Sequence, residues 1–106
     1  MTDRELLEMA AKAAGIDLWH EDVFTNGLTQ KVSDNGVLRW NPLTDDGDAL
    51  RLAVKLRMSV FHSLSDVYVV DDDGDIEVEE GHKRDPLAAT RRAIVRTAAK
   101  IGRQMP

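Results

Sequence analysis

The sequence predicts a single α+β domain over residues 1–106: an antiparallel sheet of about three to five strands with three helices packed on it, as a layered α/β/α sandwich. Three observations carry this reading. Helix-start signals stand at Thr2, at Thr44-Asp45 and at Asp85-Pro86, each leading into apolar residues at helical spacing. Between them lie short runs rich in β-branched and aromatic residues, broken by turn dipeptides. The length of 106 residues, without internal repeat, suits one hydrophobic core.

The elements follow in order. Thr2 and Glu5 have the spacing of a capping box, in which each side chain satisfies a backbone N–H of the other, so a helix is expected over about residues 3–14. Leu6, Leu7, Met9, Ala10, Ala13 and Ala14 give it one apolar face, and Gly15 suits its left-handed end. From Ile16 to Trp40 the pattern becomes extended. Asn26-Gly27 and Asn35-Gly36 supply hairpin turns, while Val23-Phe24, Leu28, Val32, Val37-Leu38 and Trp40 are strand material. Apolar residues are sparse there, which leaves residues 16–40 either an ordered hairpin or a mobile insertion. Pro42 then stops the upstream run, Thr44 or Asp45 caps a helix, and Asp45, Asp46 and Asp48 oppose its positive end. Ala49, Leu52, Ala53 and Leu56 form its stripe, which should end near Arg57.

Met58–His62 and Val67–Val70 are expected as strands, and Asp71-Asp72-Asp73-Gly74 as a turn. The alternation Ile76-Glu77-Val78-Glu79 puts Ile76 and Val78 inward and the glutamates in water. Asp85 with Pro86 at the first helical position opens the last helix, where Leu87, Ala88, Ile94, Ala98 and Ile101 are the apolar stripe. Gly102 and Pro106 are expected to close it.

Composition excludes several classes. A hydrophobic fraction of 42% with 31% charged residues belongs to a folded protein. With no cysteine there is no disulfide, thiolate nucleophile or Cys-ligated metal. No apolar run approaches the roughly 20 residues of a membrane span, and the charged first helix is unlike a signal peptide, so a cytoplasmic protein without membrane contact is expected. The net charge of −5 is unevenly spread: residues 1–81 hold seven Lys/Arg and 18 Asp/Glu, residues 82–106 seven Lys/Arg and one Asp.

The order of elements around Trp40, Pro42, Thr44, Asp45 and Ala49, and then Asp85 to Ala99, resembles small phage and prophage proteins of the phage ABA-sandwich type. In that family a Trp and a Pro-Ser/Thr-Asp helix start are followed by strands and an Ala-rich terminal helix. The chain departs from the pattern at Leu50, where a second Trp often stands, and in having no Cys in its last helix. The resemblance spans about residues 40–103 and implies an uncharacterised phage or prophage protein in a bacterial cytoplasm, with no catalytic residues to carry over.

No nucleotide fingerprint, nucleophile elbow or metal motif is present, so no enzyme activity and no cofactor are expected. The favoured function is a non-enzymatic accessory protein that binds a host or phage protein. Trp19 and His20 are candidates for that surface, because a large aromatic beside charged residues suits an interface. The competing class is nucleic-acid binding by Lys83, Arg84, Arg92, Arg96, Lys100 and Arg103, whose cations could follow a phosphate backbone. That stripe has no interleaved aromatics, and cations near a helix C-terminus are favoured by its dipole alone. A third class is a small ligand-binding protein or enzyme without a motif. The acidic segment 71–80 places Asp71, Asp73 and Glu80 at EF-hand-like positions, but Val69 stands where the first ligand belongs, so a solvated turn is expected. His20, His62 and His82 have no zinc spacing, and a homodimer through a free strand edge is left open.

Overall fold

A computed structural model describes residues 2–22, 27–33, 36–82 and 84–106, with side chains described outside residues 19–39. The chain is α+β, with helices α1 (Asp3–Ala14), α2 (Asp46–Lys55) and α3 (Pro86–Gln104). Its strands are β1 (Leu18–Asp22), β2 (Gly27–Ser33), β3 (Gly36–Trp40), β4 (Ser59–His62), β5 (Asp66–Val70) and β6 (Glu77–Gly81). Among the described residues the strands divide between two sheets instead of joining one. They make two antiparallel sheets of three, ordered β1-β2-β3 and β4-β5-β6. β3 and β4 are separated by α2, and each set of strands pairs only with its sequence neighbours.

The helix ends follow the local chemistry. The Thr2 hydroxyl accepts from the Glu5 N–H while the Glu5 carboxylate accepts from Thr2, and Gly15 closes α1 at φ 68°. Asp45 caps α2 by accepting from the Asp48 N–H, and Asp85 caps α3 by accepting from Ala88. The α2 helix ends slightly early, at Lys55, and Arg57 takes the left-handed conformation at φ 56°. Its N–H donates to the Val54 carbonyl and that of Met58 to Ala53, closing the helix as a glycine normally would.

The core lies around α3. Val67, Val69 and Val78, on one face of the second sheet, are buried with Ala89, Ala93, Ile94, Val95, Ala98 and Ala99 of α3. On its other sides α3 meets α1 and α2. Arg91 ties α2 down by donating to the Leu43 carbonyl at 2.8 Å and to Asp46 at 2.6 Å. The expectation that Gly102 closes the last helix is corrected: α3 runs on to Gln104 and Gly102 is buried inside it. A Cβ there would meet the main-chain carbonyl of Met9 in α1, its carbon only 2.9 Å away. Gly102 is thus a crossing point of two helices, and alanines at 10, 11, 14, 98 and 99 are buried in the same core. The meander β1–β3 enters this core through Trp40, which is 3% exposed, and through half-buried Leu18. Val23-Phe24 and the Asn of each Asn-Gly turn fall outside the described residues.

Candidate functional site

Among the described residues the second sheet is covered on one face only. Register fixes which residues share a face: Val60, Val69 and Val78 stand in one cross-strand row, and Phe61, Tyr68 and Glu79 in the next. The first row looks toward α3. The second faces solvent, with Phe61 47% and Tyr68 36% exposed. Their rings stack at a centroid distance of 5.1 Å with planes 23° apart. An offset aromatic pair of this kind suits the centre of a recognition surface, since it is rigid and presents its apolar area without being buried.

Carboxylates frame the pair. Glu79 stands opposite Tyr68, Glu77 opposite Val70, and Asp66 precedes Tyr68 by two residues on β5, all on the same outward parity. Hydrogen bonding to Asp66, and then the charge of Asp66, hold the Glu79 carboxyl above its ordinary range. Asp66, Glu77 and Glu79 make no ion pair with a cation among the described residues, whereas Asp3, Asp46, Asp48 and Glu80 all do.

The two edges of this sheet differ. Ser63 donates its N–H to the Asp66 carbonyl, so by the alternation of an antiparallel ladder Val60 and His62 of β4 direct their backbone groups outward. The same alternation sends the Glu79 carbonyl outward from β6, and there Arg96 takes it, at 3.4 Å, while pairing with the Glu80 carboxylate. The β6 edge is therefore guarded by a cation and the β4 edge is bare among the described residues.

The described basic residues singled out from sequence differ in their surroundings. Arg92 pairs with Asp3 at 3.2 Å and Arg96 with Glu80, so two of the six are neutralised within the fold. Lys100 and Arg103 have no ion pair among the described residues and line a shallow groove of about 320 Å³ with Gln104. Arg84 and Arg92 meet instead at an open cleft of about 470 Å³ between the end of β6 and the start of α3, with Glu80, His82 and Asp85 also on its walls. The Nε2 of His82 is buried there without a hydrogen-bond partner among the described residues, and its ring lies 5.8 Å from that of His62. Lys83 lies outside the described residues, as do the side chains of Trp19 and His20, whose backbone belongs to β1.

The acidic turn is held by its own backbone. Asp71 Oδ1 accepts from the Ile76 N–H, the Asp71 N–H donates to the Ile76 carbonyl, and Gly74 turns at φ 79°. No group of three metal-ligating side chains converges among the described residues. No helix among them is long and apolar enough to cross a membrane.

Phe61 and Tyr68 were not singled out by the sequence as a surface, although the signal was present. The alternation that turns Glu77 and Glu79 outward on β6 applies equally to β5, where Tyr68 sits between the inward valines 67 and 69. Compared with protein-family models, with curated proteins and with solved structures, the chain matches none.

Proposed function

We propose that this protein is a non-enzymatic accessory protein, of the phage and prophage kind its sequence resembles, that works by binding another protein through the open face of β4–β6. The observation that carries this reading is the stacked Phe61–Tyr68 pair, exposed on a sheet face that no described residue covers. An aromatic pair left in water on a rigid sheet loses the burial that normally favours aromatic residues in strands, and a partner restores it. The bound partner would also supply the outer layer of the α/β/α sandwich, which the described helices provide on one face only. A bacterial cytoplasm is the compartment this reading implies.

The test is affinity capture from bacterial lysate with the wild type and with a Phe61→Ser/Tyr68→Ser variant of unchanged far-UV circular dichroism. The reading predicts a protein that the wild type retains and the variant loses. Equal recovery by both would refute the face as the binding surface. Nucleic-acid binding by α3 has less behind it, since Arg92 and Arg96 are already held by Asp3 and Glu80. A mobility-shift assay at low salt, with no retarded species, removes it. The cleft at His82 is the observation in favour of a small-ligand site, and a melting temperature raised by a ligand and unchanged by the Phe61/Tyr68 substitutions would support that reading instead.

A further inference from the structure

Resting on the protein-binding reading of the same face, we infer that the row Phe61–Tyr68–Glu79, with Asp66 beside it, is a seat for an arginine side chain presented by an extended segment of the partner.

The row offers two kinds of contact at adjoining positions. Tyr68 lies between Phe61 on β4 and Glu79 on β6, so neighbouring strands place an aromatic ring on one side of it and a carboxylate on the other. Adjacent strands are about 4.8 Å apart, which is the separation at which one planar cation can lie on a ring and still reach the next carboxylate. Guanidinium fits this better than ammonium, because it stacks on aromatic faces and donates in a fork to carboxylate oxygens. Asp66 and Glu79 are diagonal neighbours across the β5–β6 ladder, and no cation of this chain separates them among the described residues. Hydrogen bonding to Asp66, and then repulsion between the two carboxylates, holds the Glu79 carboxyl up, and a guanidinium inserted beside them takes over the hydrogen bonding and relieves the repulsion.

Charge selects the same partner at longer range. Glu77 flanks the row, and Asp71, Asp72, Asp73 and Asp75 lie in the turn that joins β5 to β6. These carboxylates put negative charge beside the face, to which a basic segment is drawn while an acidic one is repelled. The approach is open from β4, since the opposite edge is closed by Arg96 at Glu79 and Glu80. Leu64, fully exposed in the β4–β5 turn, adds an apolar contact for the residues that flank the arginine.

The experiment is an amide-resolved NMR titration with three blocked heptapeptides that differ only at their central residue, Arg, Lys or citrulline. Wild type, Glu79→Gln and Asp66→Asn are compared. The Arg peptide is expected to shift the Phe61, Tyr68 and Glu79 signals, to bind at least five-fold more tightly than the citrulline peptide, and to lose at least three-fold in affinity with either variant. Glu79→Gln removes a repulsive charge, so its loss of binding cannot be ascribed to unfolding. Arg and citrulline peptides binding this face equally would overturn the arginine seat and leave the protein-binding reading standing. Shifts from no peptide, together with equal capture by wild type and the Phe61/Tyr68 variant, would overturn both. If the protein alone dimerises and Phe61→Ser abolishes the dimer, the seat is filled by a second copy and the inference fails.

Discussion

Replacing Gly102 by alanine adds one methyl group at the place where α3 crosses α1. The new Cβ would be driven into the Met9 carbonyl oxygen and lie 2.9 Å from its carbon, with the Ala13 nitrogen at 3.4 Å. All three blocking atoms belong to the main chain of α1, so no side-chain rotation relieves the overlap. The helices must part, and around the crossing Ala10, Ala98 and Ala99 lose close packing. Overpacking of this sort costs about 1–3 kcal/mol, and the rigid obstruction places this site at the upper end. Alanine recovers about 1 kcal/mol through its better helix propensity. The net destabilisation is about 2 kcal/mol, or roughly 8 °C in melting temperature for a domain of this size. Gly47→Ala is the control. In α2 the atoms nearest a Cβ are those of the Arg51 guanidinium and Asp45 carboxylate, at 3.2 Å, and these can swing aside. It should be neutral or stabilising by up to about 1 kcal/mol. Thermal and urea unfolding of both variants decide the matter. A Gly102→Ala protein as stable as wild type would refute the close crossing.

Three further outcomes follow from the same structure. Arg57→Gly removes a left-handed conformation from a residue with a Cβ and should stabilise by about 1 kcal/mol in urea unfolding. Thr2→Ala should cost about 0.5–2 kcal/mol by breaking the capping box, and because hydrogen bonds from Thr2 hold the Glu5 carboxyl below its ordinary range, the part of that difference that runs through the carboxylate should fade as pH drops through the lowered value. Glu79→Gln works with the opposite sign. The folded state raises the Glu79 carboxyl, so its charged form at neutral pH destabilises; the variant should melt higher at pH 7, with the gain shrinking as the wild-type carboxyl becomes protonated in acid.

What was legible in the sequence was what neighbours within a few residues decide. The caps at Thr2 and Asp85 involve partners three residues away and stand where the sequence put them, and of the two candidates for α2, Thr44 and Asp45, it is Asp45 that accepts from the Asp48 N–H. The inward Ile76 and Val78 follow from alternation alone. The role of Gly102 was not legible, because the residue that demands it, Met9, is on another helix and any glycine near a chain end resembles a terminator. Nor was the division of six strands into two sheets, since pairing preferences of β3 and β4 are not local. The basic stripe was visible as periodicity, but its neutralisation depends on Asp3 and Glu80, which only the fold brings to Arg92 and Arg96. The surface at Phe61 and Tyr68 was half legible: parity turns Tyr68 outward, while the bareness of that face depends on where α3 packs.

Photo-crosslinking in bacterial cells distinguishes the open face of β4–β6 from α3 as the binding surface. The crosslinking amino acid p-benzoylphenylalanine is placed at Phe61 or Tyr68 on the open sheet face, and separately at Lys100 or Arg103 on α3. A discrete protein adduct is expected from the two sheet positions and none from the two helix positions. Adducts confined to Lys100 and Arg103 would contradict it and move the functional surface to α3.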